Sequence, residues 1–336
     1  MRGKRIMSNE LNVLYQFDDN YAPYAGISML SLFENNRDID ELNIYCATMN
    51  VSERNKQLIL ENADKYKRHI IFLDTSKAID TIKKLNAREW NNSLATWMKI
   101  FVIEELIGKI SNLLYIDCDT LVLGSLRELC GFDFKGKAMA AVIDSLGFEH
   151  LDRLNIKINK YYYNAGIMFF NLDYFYTHKD FYKKMLMHLK KNIYRYQVND
   201  QDLLNDFFNG NILRLSPQYN FQGIHYMYSD KTYFKVYKKF DYYSKEEISY
   251  ARKHVKIVHF LRVLGNYPWE KNNFHPLQKL FNAWKAKSLW NNIPQREQTR
   301  TLFFKIEILL YRLLPKYAFL SLFSYVKHLE KKKSIK

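Results

Sequence analysis

The chain reads as an α/β protein with a mostly parallel central sheet, followed by a helical C-terminal region that is basic and aromatic. Two observations predict the sheet: short apolar runs alternate with longer amphipathic stretches over the first 175 residues, and strand–helix alternation of that kind suits parallel strands joined by crossover helices. The third observation is a change of character after about Pro276, where the sequence turns helical and then rich in Lys, Arg and aromatic residues.

Taken in order, Leu11–Phe17, Leu42–Ala47, Ile70–Leu73, Leu113–Ile116, Ala138–Ile143 and Ile167–Phe170 are continuous apolar runs of strand length. Such runs fit strands buried on both faces. Between them Tyr24–Asn35, Ser52–Lys67 and Leu94–Ile107 carry the longer periodicity of amphipathic helices. A second stretch, Tyr176–His275, mixes helix (Asp180–Asn192, Gln201–Phe208) with short strands (Ile212–Leu215, Val255–Phe260). No internal repeat, low-complexity linker or Gly/Ser-rich hinge interrupts it.

Composition bounds the class. The chain has 336 residues, 48% hydrophobic and 26% charged, values typical of a folded globular protein able to bury a full core. The 26 Tyr and 23 Phe suit either carbohydrate stacking or an aromatic-heavy core. A formal charge of +16 points to a polyanionic partner. From Arg296 to Lys336 there are 10 Lys or Arg against 3 Glu, so part of the excess is concentrated at the end. Three cysteines without metal-ligand spacing indicate neither a disulfide framework nor a zinc site. Met1–Glu10 lacks the apolar stretch of a signal peptide, and no run reaches the ~20 apolar residues of a membrane span. The expected location is cytoplasmic, peripheral at the inner face of the cell membrane.

In parallel sheets ligands gather at the carboxyl ends of strands, so the residues that follow each apolar run are the candidates. The first run ends in Asp18-Asp19-Asn20-Tyr21, which suits recognition of a base and ribose and equally a polar turn capping the next helix. Leu113–Ile116 ends in Asp117-Cys118-Asp119. Alternate residues of an extended chain face the same side, so the two carboxylates converge and repel unless a cation lies between them. Hard oxygen ligands suit Mg²⁺ or Mn²⁺, and such an ion bridges a diphosphate. Two other Asp-x-Asp tripeptides, at Asp38 and Asp200, lack a full apolar strand before them. His259, within Val255–Phe260, is by itself an ordinary histidine.

These segments together resemble the family-8 retaining glycosyltransferases, the group of bacterial lipopolysaccharide galactosyl- and glucosyltransferases and glycogenin. The resemblance runs in order through LLYIDCDTLVLGSLREL at 113–129, Asp144, YYYNAGIMFFNLDYF at 161–175, NDQDLLND at 199–206 and HFLRVLGNYPW at 259–269. It implies a GT-A type catalytic domain over 11–275 and a UDP-sugar donor, UDP-galactose or UDP-glucose. It implies Mn²⁺, with Mg²⁺ an alternative, on Asp117, Asp119 and His259. Asp18, Asn20 and Tyr21 are expected to hold uracil and ribose, and Asp144, Asn164, Ala165, Gly166, Asp200 and Gln201 to meet the sugar. Because an amide is a poor nucleophile, Gln201 points to same-face attack by the acceptor hydroxyl.

Two departures from the family pattern stand out. The closing motif is usually His-x-x-Gly-x-x-Lys-Pro-Trp, whereas here Gly265 lies six residues after His259 and Tyr267 replaces the Lys. Arg262, in the enlarged loop, is the expected substitute cation. Lys99 stands near the place of a family Arg, keeping the charge without its fork.

The last region, 276–336, is expected to reach a membrane surface. Lys305 and Arg312 share a helical face in Thr301–Leu314, apolar side chains cover much of the rest, and Lys331-Lys332-Lys333 follows. Such a helix lies in the interface of an anionic bilayer or caps the catalytic domain. The acceptor is expected to be a cell-surface glycan or a lipid-linked one. No helix-turn-helix, aromatic RNA-binding or zinc module accompanies the charge, so nucleic acid is not an expected partner. A pyrophosphorylase would open with a Gly-rich phosphate loop, and residues 11–35 hold only Gly26. A nucleotide-sugar-binding protein without turnover is the remaining alternative, given the altered closing loop.

Overall fold

The computed structural model describes residues 9–89, 94–156, 161–238, 240–297 and 301–334, with side chains in the last segment as far as Val326. Among them ten strands form two sheets. The strands are β1 (Glu10–Asp18), β2 (Glu41–Met49), β3 (His69–Leu73), β4 (Asn112–Ile116), β5 (Thr120–Val122), β6 (Met139–Ile143), β7 (Tyr163–Asn171), β8 (Ile212–Arg214), β9 (Phe221–Gln222) and β10 (Ile257–His259).

The large sheet has the order β3-β2-β1-β4-β7-β6-β8. Its members run parallel except β7, which is antiparallel to both neighbours, β4 and β6. Helices cover both faces of such a sheet, which is why β1, β4, β6 and β7 are buried along nearly their whole length and read as unbroken apolar runs. The reversal of β7 has a consequence at one edge. Its amino end, Tyr163-Asn164-Ala165-Gly166, arrives where β4 and β6 have their carboxyl ends, so that Asp117 N–H donates to Gly166 O at 2.8 Å and Asp144 N–H to Tyr162 O at 2.8 Å.

The small sheet, β5-β10-β9, performs a second juxtaposition. β5 starts directly after Asp119 and pairs antiparallel with β10, with Thr120 opposite His259. A hydrogen bond from Phe260 N–H to Asp119 O, 2.9 Å, extends the ladder by one step. Backbone pairing thus carries the imidazole to the two aspartates.

Leu94–Ile107 is not one amphipathic helix. It is a 3₁₀ turn (Ala95–Trp97), one and a half turns of α-helix (Met98–Val102) and a second 3₁₀ turn (Ile103–Leu106). The cause is burial on all sides: Trp97 through Ile103 are all buried, Lys99 included. In addition Lys99 N–H donates to Gln16 Oε1 at 2.8 Å, an alternative partner that competes with regular helix.

After Pro276 the chain packs back on the sheet domain. Trp290 lies over Gly26, where any side chain would collide with its ring, and Trp290 Nε1 donates to Asn55 Oδ1 at 3.0 Å. The helix Leu302–Leu313 presses Phe304 on Gly265. Together with the last helix, Lys316–Ser334, it forms a separate buried cluster, Ile308, Phe319 and Leu320 against Tyr228, Tyr233, Val263 and Leu264. The Lys331-Lys332-Lys333 side chains lie outside the described residues.

Candidate active site

Asp117 and Asp119 leave β4 with their side chains on one face, while Cys118 turns inward and its thiol meets Gln16 O at 3.3 Å. His259 Nε2 lies 3.2 Å from Asp119 Oδ1 and 3.8 Å from Asp117 Oδ2. Ligand atoms of all three residues fall within 4.8 Å of one another. Burial raises the Asp117 carboxyl to about 6. For Asp119 burial acts in the same upward direction, but His259 outweighs it and the carboxyl is held below its ordinary value. The imidazole is raised in turn: burial opposes its charge, and the Asp119 carboxylate overcomes that opposition. Two carboxylates and an imidazole are a donor set able to hold a divalent cation. Gly166 is the floor of this cluster, since a Cβ there would stand 2.8 Å from Asp117 Oδ2 and 2.8 Å from His259 Nδ1.

The other nitrogen of His259 is engaged. Nδ1 lies 3.0 Å from Asn220 Oδ1, an arrangement in which Nδ1 donates and Nε2 faces the carboxylates, as in ligating histidines oriented from behind. Asn220 Nδ2 donates to Asn164 Oδ1 at 2.8 Å, and Asn164 Nδ2 to Asp144 Oδ2 at 2.8 Å. A continuous chain of side chains therefore runs from His259 to Asp144. Gln201 joins it: its Oε1 accepts from Ala165 N–H at 2.9 Å and its Nε2 points at Asp144 Oδ2, 3.4 Å away.

Lys99 and Asp200 form a buried pair beneath. Lys99 Nζ is 2.7 Å from Asp200 Oδ2 and 3.3 Å from Ala165 O, and 3.8 Å above the centre of the Tyr115 ring. Burial raises the Asp200 carboxyl despite Lys99. Tyr115 hands the contact on, its hydroxyl donating to Asp117 Oδ1.

In front of Asp117 and Asp119 opens a cavity of about 550 Å³. Asp18, Asn20 and Tyr21 line it at the end of β1, and Arg262 and Tyr267 come from the closing loop. The Arg262 guanidinium lies 5.0 Å from the Tyr267 ring centre, and Tyr267 stacks on Trp269 with centroids 4.6 Å apart. Asp19 faces away, accepting from Ser52 N–H, Ser52 Oγ and Asn55 Nδ2 at 2.7–2.9 Å. Gly265, with φ +70, sits at the turn of the closing loop against Phe304 rather than on the cavity wall.

Tyr115, Asn220 and Arg296 are among the residues at this site that the sequence alone does not single out. Tyr115 has the same parity as Asp117 and Asp119, so strand alternation could have found it. Asn220 precedes a two-residue strand and carries no local signal. Arg296, counted there with the basic tail, also lines the cavity.

A family model for glycosyl transferase family 8 matches residues 12–273. A putative glycosyltransferase of Haemophilus influenzae is 30% identical over 226 residues, 64% of this chain and 64% of that protein. General stress protein A of Bacillus subtilis is 27% identical over 282 residues, 82% of this chain and 93% of that one. A lipopolysaccharide 1,2-glucosyltransferase of Escherichia coli is 26% identical over 294 residues, 86% and 82% of the two chains. The chain thus spans just under two thirds of the length of the Haemophilus relative.

Among solved structures, the bifunctional glycosyltransferase WbbM superposes with a TM-score of 0.67 at 21% identity, over 85% of this chain and 51% of that one. The galactosyltransferase LgtC, solved with donor and acceptor sugar analogs, gives 0.64 at 21% identity, over 85% and 98%. At such identity the likeness concerns the fold, which is of the GT-A type. The sequence match over most of the chain carries the further conclusion that this protein belongs to glycosyl transferase family 8.

Proposed function

We propose that this protein is a retaining, metal-dependent hexosyltransferase that moves galactose or glucose from a UDP-sugar to a glycan or lipid-linked acceptor. The observation that carries the reading is the convergence of Asp117, Asp119 and His259, the two aspartates lining a cavity that Asp18, Asn20 and Tyr21 also line. A divalent ion held by those three ligands would act as a Lewis acid toward the charge on a departing diphosphate.

This chain's own residues account for the rest. Asp18, Asn20 and Tyr21 supply polar groups and a ring for base and ribose. Asn164 and Gln201, tied to Asp144 by hydrogen bonds, would orient its carboxylate beside a sugar whose anomeric carbon gains positive charge, which that carboxylate stabilises. A double displacement through a carboxylate is disfavoured. Asp200 is paired with Lys99, and Asp202 accepts from Arg153, Tyr162 and the Gln197 and Val198 amides at 2.6–2.8 Å. Same-face attack by the acceptor hydroxyl, its proton passing to the leaving phosphate oxygen, fits this arrangement.

The membrane part of the reading rests on the helix Leu302–Leu313. Leu302, Phe303, Ile306, Leu309 and Leu313 are exposed on the helix that also carries Lys305 and Arg312, a surface suited to an anionic bilayer interface. No helix among the described residues is long and apolar enough to cross a membrane. The Tyr267 substitution favours a second reading, a protein that binds the nucleotide sugar without turnover.

The deciding measurement is UDP release from UDP-galactose, UDP-glucose and their N-acetyl forms, with manganese and with chelator. Metal-dependent release from one donor, abolished by Asp119→Ala, is the expected result. UDP binding without release, even with candidate acceptors, supports the second reading, and absence of UDP binding sinks both.

A further inference from the structure

Arg296 lies beyond the residues matched by the family model and yet completes the wall of the cavity. Its main chain is fixed to the closing loop: its N–H donates to Trp269 O at 3.1 Å and its carbonyl accepts from Lys271 N–H at 2.9 Å. An ion pair between Lys271 and Glu297 stands alongside. Trp290, wedged over Gly26, anchors the same segment on the first helix of the sheet domain.

With the backbone held at both places, the side chain reaches back to the end of β1. Arg296 Nη2 donates to the carbonyl of Asn20 at 2.6 Å. Its guanidinium carbon lies 5.4 Å from the centre of the Tyr21 ring and 5.0 Å from that of Tyr24. A guanidinium is weakly hydrated, always charged, and stacks on aromatic faces while keeping in-plane donors for other partners. It therefore fixes the turn that carries Asn20 and the tilt of the Tyr21 ring at one time.

Resting on the donor reading above, we propose that Arg296 is a positioning residue of the nucleotide site, clamping the Asn20–Tyr21 turn that lines the cavity. The chain supplies this clamp from its C-terminal region, beyond the residues that the family model matches. Arg262, beside Tyr267, is a second arginine on the same cavity wall.

The test is calorimetric binding of uridine, UMP and UDP, with manganese present, to the full-length protein and to Arg296→Ala and Arg296→Lys. Arg296→Ala is expected to weaken all three ligands by a common factor, roughly ten-fold or more, because a charge-assisted hydrogen bond and a stacked cation are lost together. Arg296→Lys, which keeps the charge and one donor, recovers part of the loss; a purely structural role shared by both variants would show instead in their melting curves. Unchanged affinities in a folded Arg296→Ala protein would overturn the clamp. So would a loss confined to UMP and UDP, which would make Arg296 a phosphate ligand. If Arg296→Ala does not fold, Arg296→Lys and Arg296→Gln carry the same comparison. Failure of the unsubstituted protein to bind any of the three overturns the donor reading itself, and the clamp with it.

Discussion

His259 and Asn220 form a hydrogen bond of 3.0 Å through Nδ1 and Oδ1, and this contact decides which way the imidazole faces. The two residues sit on or beside strands of the small sheet, where Gln222 is in register with His259. Strand pairing brings the ring to Asp119, and Asn220 then turns Nε2 toward the carboxylates.

Asn220→Ala is therefore expected to lower manganese affinity by roughly 10–100-fold, the usual consequence of removing a partner behind a ligating histidine. The substitution also frees Asn164, so the measurement is a direct manganese titration on protein whose melting curve has been checked. Wild-type affinity in the folded variant would mean that His259 needs no orienting partner or is not a ligand.

Lys99 and Asp200 make a different kind of prediction. Their side chains are 3% and 9% exposed, so removing one partner strands a buried charge. Lys99→Met and Asp200→Asn are each expected to cost about 3–5 kcal/mol in urea unfolding. The double substitution is expected to cost less than the two singles added together, because no lone charge remains. Additive losses would show that the pair is not electrostatically coupled.

How far such features are legible in sequence depends on what fixes them. β1, β2, β4 and β6 are legible because burial on both faces forces continuous apolar runs. The same rule misleads at Leu94–Ile107, where burial on every side mimics a helix although the backbone is partly claimed by Gln16. Asp117 and Asp119 are legible from strand parity at a strand end. Asn220 and Arg296 are not, because both are placed by pairings between distant segments, three-residue β10 with two-residue β9 and the Arg296 backbone with Trp269 and Lys271. Strands that short have no periodicity to read.

His225 gives the fold a calculable response to acid. It is buried, with Nε2 3.0 Å from the Tyr242 hydroxyl and no hydrogen-bond partner for Nδ1 among the described residues. Burial, aided by the nearby Arg252 charge, pulls its pKa from 6.5 down to about 3. Between those values the unfolded chain binds a proton that the folded chain refuses, so this residue's contribution to stability is lost as pH falls through that window. From pH 7 to pH 5 the wild type is expected to lose roughly 2 kcal/mol more than His225→Phe, in denaturant titrations at both pH values. Parallel losses in the two proteins would show that His225 is protonated in the folded state.

The last prediction concerns the helix Leu302–Leu313, whose two sides do different things. Phe304 and Ile308 face the closing loop and its neighbours, while Leu302, Leu309 and Leu313 are 74%, 54% and 70% exposed. Replacing these three by Gln removes apolar surface that is mostly exposed and would insert into a bilayer interface. Affinity for vesicles containing phosphatidylglycerol is expected to fall at least about ten-fold, with the melting temperature and nucleotide binding unchanged. Raising salt should weaken the wild-type interaction as well, since Lys305 and Arg312 meet the anionic headgroups through water. If the triple variant binds vesicles as the wild type does, this helix is not the membrane contact. A fall in melting temperature would instead identify the outer face as part of a packed interface.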